Sequence, residues 1–421
     1  MTSETLRPFR KIKRALYVRQ IIDVEEIKPG TPEYRARAGG LMPLEIRLGY
    51  EKESCEGVEW KPGQESNGFF LLLGASGSGK TETLKVIGKE LMEHGTPLLV
   101  LDFHGDVNVK WLRSELISSG TDSIIGLNPM QLDSYQANKV GLYDQRMALL
   151  DLIGRAIPDL SHSQKTMLGN AMAAAYQWVG IQDNAPQTWY LPPPTFGHVL
   201  AVLNGWLRSE DMKSSRATIR SCISAVQAVF GHPVFARQHA VSLDEILTTG
   251  LRLDLSKVPD GIKYIVADTL LRKIFRALML QGPIPVTPAS DLERFRLFII
   301  IDEAKILSAA TGHPDDSRLI LNLLVTEARK YGVGIILASQ MSEHFGSEIR
   351  ANAASWLVMK QMDLTQAKKN AVDIQVTPTD LLNLEGKGDG FFVSRSERTR
   401  KLIWVSKISV ARNNDEDESG M

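Results

Sequence analysis

The residues best suited to chemistry are Gly74-Ala75-Ser76-Gly77-Ser78-Gly79-Lys80-Thr81. They match the spacing G-x-x-x-x-G-K-[S/T]. Glycines let the backbone wrap close to an anion, and successive N–H groups at a helix start supply partial positive charge. The cradle, with Glu82 next in the run, is expected to bind the phosphates of ATP. Lys80 would reach the β- and γ-phosphates, and the Thr81 hydroxyl would ligate Mg2+.

A second run, residues 297–303, is an apolar strand ending in Asp302 and Glu303. Asp302 on a strand neighbouring the cradle could hold Mg2+ through water. Glu303 is placed to polarise a water for attack on the γ-phosphate. A kinase would aim a substrate hydroxyl there instead, so the acid pair favours hydrolysis. Acids at a helix start would have the same pattern for capping alone.

A third run, residues 327–340, puts Arg329 at a helix end and Gln340 at the tip of the strand that follows. A neutral amide there can hydrogen-bond both phosphate and water and so report hydrolysis. A guanidinium can neutralise charge on a transferring phosphoryl group, or it can simply face a helix C-terminal dipole.

These residues need elements to carry them. Strands are expected at 69–73, 97–101, 251–255, 297–301, 334–338, 356–359, 390–393 and 402–405, with helices at 80–94, 264–280 and 318–329. Buried strands alternating with helices give an α/β fold with a mainly parallel sheet. Residues 127–249 read as a helical insertion. Capping-box words start at Ser161 and Ser242. The expected division is an N-terminal basic region at 1–66, a first core part at 67–126, the insertion, a second core part at 250–412 and an acidic tail at 413–421.

The chain has 421 residues, with 49 Lys+Arg balanced by 49 Asp+Glu. That balance argues against a wholly electrostatic DNA binder, though not against local basic patches. At 43% hydrophobic, the chain can build a sizeable core. No apolar run approaches the ~18 residues of a spanning helix, so no integral membrane segment is expected. Only 2 Cys are present, which fits a reducing cytoplasm.

Taken together, the cradle, Leu101-Asp102-Phe103-His104-Gly105-Asp106, Ile301-Asp302-Glu303-Ala304 and the 327–340 run resemble the HerA–FtsK superfamily, closest to its HerA branch. The resemblance covers about residues 57–407. It implies a RecA-like P-loop core, ATP and Mg2+ as cofactors, and a homo-hexameric ring that takes duplex DNA through its channel. It also implies that Lys80 and Thr81 hold nucleotide and metal, Asp302 supports Mg2+, Glu303 activates water and Gln340 senses the γ-phosphate. Arg329 would be a finger, in its own or a neighbouring subunit's site. Asp102 or His104 could orient the catalytic acid or touch phosphate; a polar turn is the plainer reading. Lys305 stands where the family often has His, and Ala328 where it often has Gly. Residues 1–66 are short for the β-barrel such proteins usually carry, so a reduced barrel or none is expected.

Nonspecific DNA contact could come from the basic run at residues 7–19 or from Arg395, Arg398, Arg400 and Lys401. Trp60 and Tyr17 could stack on a base, although lone aromatics near strands are more often core. The expected function is a DNA translocase or helicase in repair, end processing or genome defence. The alternatives are an ATPase energising a conjugation or secretion complex, and a nucleotide-dependent scaffold for a nuclease or other effector.

Overall fold

The computed structural model describes residues 43–405, apart from 136–137, 158, 238, 242 and 309–318. The basic run at 7–19 with Tyr17, the acidic tail, Ser242 and the expected helix start at Arg318 lie outside the described residues.

The large sheet has 11 strands. In chain order they are β1 (Ile46–Glu51), β2 (Gly57–Trp60), β3 (Phe69–Leu73), β4 (Leu98–Asp102), β5 (Ser114–Leu116) and β6 (Leu251–Asp254). Then come β7 (Leu297–Ile301), β8 (Val333–Ser339), β9 (Ser355–Met359), β10 (Asp389–Ser394) and β11 (Thr399–Val405). Across the sheet they run β2-β1-β11-β10-β9-β3-β8-β7-β4-β6-β5. From β9 to β5 every pairing is parallel, and from β2 to β9 every pairing is antiparallel.

The helices of two turns or more are α1 (Lys80–Glu93), α2 (Leu142–Ala156), α3 (His162–Trp178), α4 (Phe196–Arg208) and α5 (Arg216–Phe230), followed by α6 (Asp260–Gln281), α7 (Ile320–Glu327) and α8 (Leu364–Ile374). α1 ends where the sequence places a stop, with Gly95 at φ 79°. Ser161 caps α3 with the reciprocal bonds of a capping box to Gln164. The expected helix at 318–329 is shorter. α7 stops at Glu327, and Ala328–Tyr331 tightens into a 3-10 turn.

A strand buried on both faces must be apolar at every position, and β3 is buried throughout. Phe69, Leu71 and Leu73 join the core shared with α6 and the insertion, while Phe70 and Leu72 join the core under α1. Trp60 is fully buried in that second core, with its ring centroid 4.9 Å from Phe70. It is therefore a packing residue, and base stacking is not open to it. Residues 46–60 form a hairpin that extends the core sheet at its antiparallel edge.

The insertion lies between β5 and β6 and contains α2 to α5. Ion pairs dock its flanks on α6. Asp268 of α6 accepts from Arg155 of α2 at 3.2 Å and from Arg272 at 2.8 Å. Asp133 accepts from Lys273 and Arg276 of α6 at 2.7 and 2.8 Å.

Another buried pair ties the sheet's parallel edge. Arg252 of β6 donates twice to Asp102 of β4, at 3.0 and 2.6 Å, and once to Ser114 of β5 at 2.7 Å. Removing one partner strands a buried charge, which costs about 3–5 kcal/mol. Arg252→Ala is expected to lower unfolding stability by about that amount. An unchanged urea midpoint would contradict this account of the edge.

Candidate active site

β3 ends at Leu73 and α1 begins at Lys80, so residues 74–79 must turn the chain sharply. The turn is pinned from both sides. Gly74 N–H donates to Ser339 O at the tip of β8 at 3.2 Å, and Ala75 N–H donates to Lys360 O past β9 at 3.0 Å. Gly77 and Gly79 hold φ of 77° and 112°, which L side chains rarely adopt. A Cβ on Gly74 would lie 2.5 Å from Ser78 Oγ. The cradle is therefore a space that side chains would fill.

The turn opens onto a cavity of about 510 Å3. Ser76, Gly77, Gly79, Lys80, Thr81 and Glu82 line one side. Asp302, Glu303 and Gln340 face them, and His104, Asp106, Lys305 and Lys387 complete the wall. Gly74, Ala75 and Ser78 are buried and shape the turn from behind.

Lys80 is buried, and its Nζ donates to the Gly74 and Ala75 carbonyls at 2.8 and 3.1 Å. Burial pushes its pKa below the usual lysine value, against the pull of Glu303 and Asp302. Asp302 is pushed up to about 6, first by burial and then by the neighbouring charges of Asp102 and Glu303, with Lys80 opposing. Glu303 sits at φ 55°, a left-handed conformation that costs a non-glycine residue about 1–2 kcal/mol. Its Oε1 is buried without a hydrogen bond. Lys305 Nζ lies 2.8 Å from that oxygen, close enough for an ion pair but outside hydrogen-bond angles.

The strand order corrects one expectation. The acid strand β7 is not next to β3; β8 lies between them and pairs with both. Gln340 thus stands beside the cradle, and the acids reach the cavity from one strand further out. The turn carrying Gln340 is held by Asn370 of α8, which is fully buried. Its Nδ2 donates to Gln340 O at 3.1 Å, and its Oδ1 accepts from Ser342 N–H at 2.9 Å. Nothing in the local sequence marks Asn370.

Asp102 does not face the nucleotide cavity. It accepts the N–H groups of His104, Gly105, Asp106 and Val107 at 2.8–3.3 Å, as well as the Arg252 guanidinium. It therefore positions the loop that presents His104 and Asp106. The sequence signal was the Asp-x-His-Gly-Asp word, and the missing piece was its partner 150 residues away.

Arg329 is not brought to this cavity. It lies in the 3-10 turn that precedes β8, whereas the cradle meets the far end of that strand. Seven strand residues separate the two ends by roughly 20 Å. Arg329 instead shares a pocket with Asn67, Arg294 and Phe295. The Arg395–Lys401 run lies at the same end of the sheet, in the β10–β11 turn and the start of β11. Arg395 there donates to the Ala351 and Arg350 carbonyls, and Arg400 to those of Ile374 and Gln375.

The family model described as "Helicase HerA, central domain" matches residues 69–274, the stretch from the cradle strand through most of α6. That stretch is just under half of the chain, and it likens the chain to the HerA–FtsK superfamily of P-loop ATPases. It is 21% identical over 386 residues to the DNA double-strand break repair helicase HerA of Pyrococcus furiosus, covering 82% of this chain and 66% of that one. It is 22% identical to the DNA import protein CedB of Sulfolobus acidocaldarius, covering 75% of this chain and 46% of that one. The chain thus spans less than two thirds of either relative. Its RecA-like fold is similar to that of VirB4 of Thermoanaerobacter pseudethanolicus, with a TM-score of 0.65 and 17% identity, covering 86% of this chain and 96% of that one. It is also similar to the plasmid coupling protein TrwB in complex with ADP and Mg2+, with a TM-score of 0.57 and 14% identity, covering 83% and 87%.

The residues present fit a nucleotide with its metal. The glycine cradle leaves room for phosphate, and Asp302 and Glu303 line the same cavity. Among the described residues no group of three or more His, Cys, Asp or Glu could hold a metal alone. Mg2+ keeps several of its waters and takes only one or two protein carboxylates. Thr81 and Asp302 would hold it.

A carboxyl whose folded pKa lies above its unfolded value favours folding fully below the unfolded pKa. That contribution is lost as pH rises through about 6 for Asp302. Asp302→Asn is therefore expected to raise the melting temperature of nucleotide-free, metal-free protein at pH 7.5. The gain should shrink towards pH 5. A pH-independent difference in melting temperature would show that Asp302 is not the buried acid described here.

Proposed function

We propose that this chain is a cytoplasmic, ring-forming ATPase that hydrolyses ATP to move along or unwind duplex DNA. The observation that carries the reading is the convergence of the cradle, Asp302, Glu303 and Gln340 on one cavity. These groups come from three parallel strand tips, β3, β7 and β8, so ordinary sheet pairing sets their spacing.

The residues divide the work as follows. The amides of residues 76–81 and Lys80 hold the phosphate chain. Thr81 and Asp302 would hold Mg2+, which would supply charge neutralisation for the phosphates. Glu303, aimed by its left-handed backbone, takes a proton from the attacking water. Gln340 meets the γ-phosphate and, through Asn370, ties that contact to α8. Arg329 lies too far away to serve its own site, so its role falls on a neighbouring subunit of a homo-hexamer.

DNA as the substrate is supported by the relatives, two of which are named for DNA repair or DNA import. Repair, end processing or genome defence is the setting, with a nuclease or other effector as partner. A second reading, an ATPase energising transfer of DNA or protein across a membrane, draws on the CedB likeness and the VirB4 and TrwB folds. No helix among the described residues is long and apolar enough to cross a membrane.

Lys80→Ala is expected to abolish nucleotide binding. Glu303→Gln is expected to keep binding while lowering turnover by about 10²–10⁴-fold. Wild-type turnover should rise with duplex DNA and fall off with salt. Turnover indifferent to DNA at every salt concentration would remove the translocase reading, and Glu303→Gln turning over at the wild-type rate would remove the assigned base. Mass photometry with ATP and duplex DNA should show hexamers. A persistent monomer would rule out the ring and the neighbouring-subunit role of Arg329.

A further inference from the structure

We infer that Lys387, which lies outside every nucleotide-binding motif of this chain, binds the α-phosphate and ribose side of the nucleotide. The inference rests on the nucleotide-site reading above and adds a residue to it.

The sheet order fixes the direction of the ligand. The groups for the γ-phosphate, Asp302, Glu303 and Gln340, follow β7 and β8, which lie on one side of β3. A nucleotide whose γ end lies there must extend its other end across the cradle, towards β9 and β10 on the opposite side of β3. The loop entering β10, Glu385-Gly386-Lys387-Gly388, stands at that point. Lys387 lines the cavity, and its side chain is exposed.

The loop is built to hold that position. Gly388 N–H donates to Ser78 O inside the cradle at 2.9 Å, and Val405 N–H of β11 donates to Gly388 O at 3.0 Å. A Cβ on Gly79 would lie 3.0 Å from Gly388 N, so the two backbones touch. The buried Asp389 accepts from Gly386 N–H at 2.7 Å and from the Lys52 ammonium, just after β1. Lys387 thus stands on a clamped turn, flanked by glycines that let the turn approach the cradle.

A cation at the α-phosphate side interacts equally with ATP and ADP. It also interacts equally in the ground and transition states, so its loss appears in binding and KM. The test is calorimetric titration of ADP and of a non-hydrolysable ATP analogue, with Mg2+, into full-length wild type, Lys387→Ala and Lys387→Arg. Lys387→Ala is expected to weaken both ligands by the same factor, about five- to tenfold, with the kinetic defect in KM; Lys387→Arg should restore most of the affinity. Unchanged ADP affinity, a loss confined to the triphosphate, or a defect in kcat alone would each overturn the assignment. Wild-type protein that binds neither ligand would instead overturn the nucleotide-site reading. Circular dichroism of the variants checks that this exposed position leaves the fold intact.

Discussion

Three acids, Asp102, Asp302 and Glu303, are held nearly dry at the tips of adjacent strands, and much of the structure is a response to that constraint. Burying a carboxylate costs several kcal/mol unless partners replace its water. Asp102 is fully compensated by four backbone N–H groups and a guanidinium. Asp302 is not, and its pKa rises to about 6. Glu303 keeps one oxygen without a hydrogen bond and a strained backbone. The division follows use. The acid that shapes a loop is satisfied within the protein, and the acids facing the cavity are left with capacity for a ligand.

The sheet makes this placement possible. Parallel strands bring their C-terminal ends to one edge, where ligands of open α/β sheets bind. Pairing of β3 with β8, and of β8 with β7, levels the tips that carry the cradle, Gln340 and the acids. The same geometry excludes Arg329. It is near Gln340 in sequence, but a strand lies between them, and the two ends of a strand face opposite sides of the domain.

This separates what the sequence shows from what it hides. The cradle, the acid pair and Gln340 are legible because each is local. A backbone turn that needs glycine, or a strand tip that needs an acid, writes itself into consecutive residues. Most long apolar strands are legible for the same reason. β1, β2 and β5 are not: two of them are four residues or fewer, and β1 mixes buried with exposed positions. The partners Arg252, Asn370 and Lys387 are hidden because only the fold brings them to Asp102, Gln340 and the cradle. Asp102 itself is half legible: its word is visible, but its role depends on a strand far along the chain.

The two ends of the cavity also differ in how they are tied to the rest of the molecule. On the β8 side, Gln340 is bound through Asn370 to α8, a helix with Leu364 and Val372 exposed on its surface. On the other side, the cradle touches the loop before β10, and that loop is fastened by Asp389 to Lys52 beside the first strand. The turn carrying Gln340 is thus packed against α8, and the cradle against the loop entering β10. The two attachments meet again at the far end of the sheet, where Arg400 of β11 donates to the Ile374 and Gln375 carbonyls at the end of α8. The cradle therefore sits inside a closed circuit of contacts that runs from Gln340 through Asn370, α8 and Arg400 to β11 and back through Gly388 to Ser78.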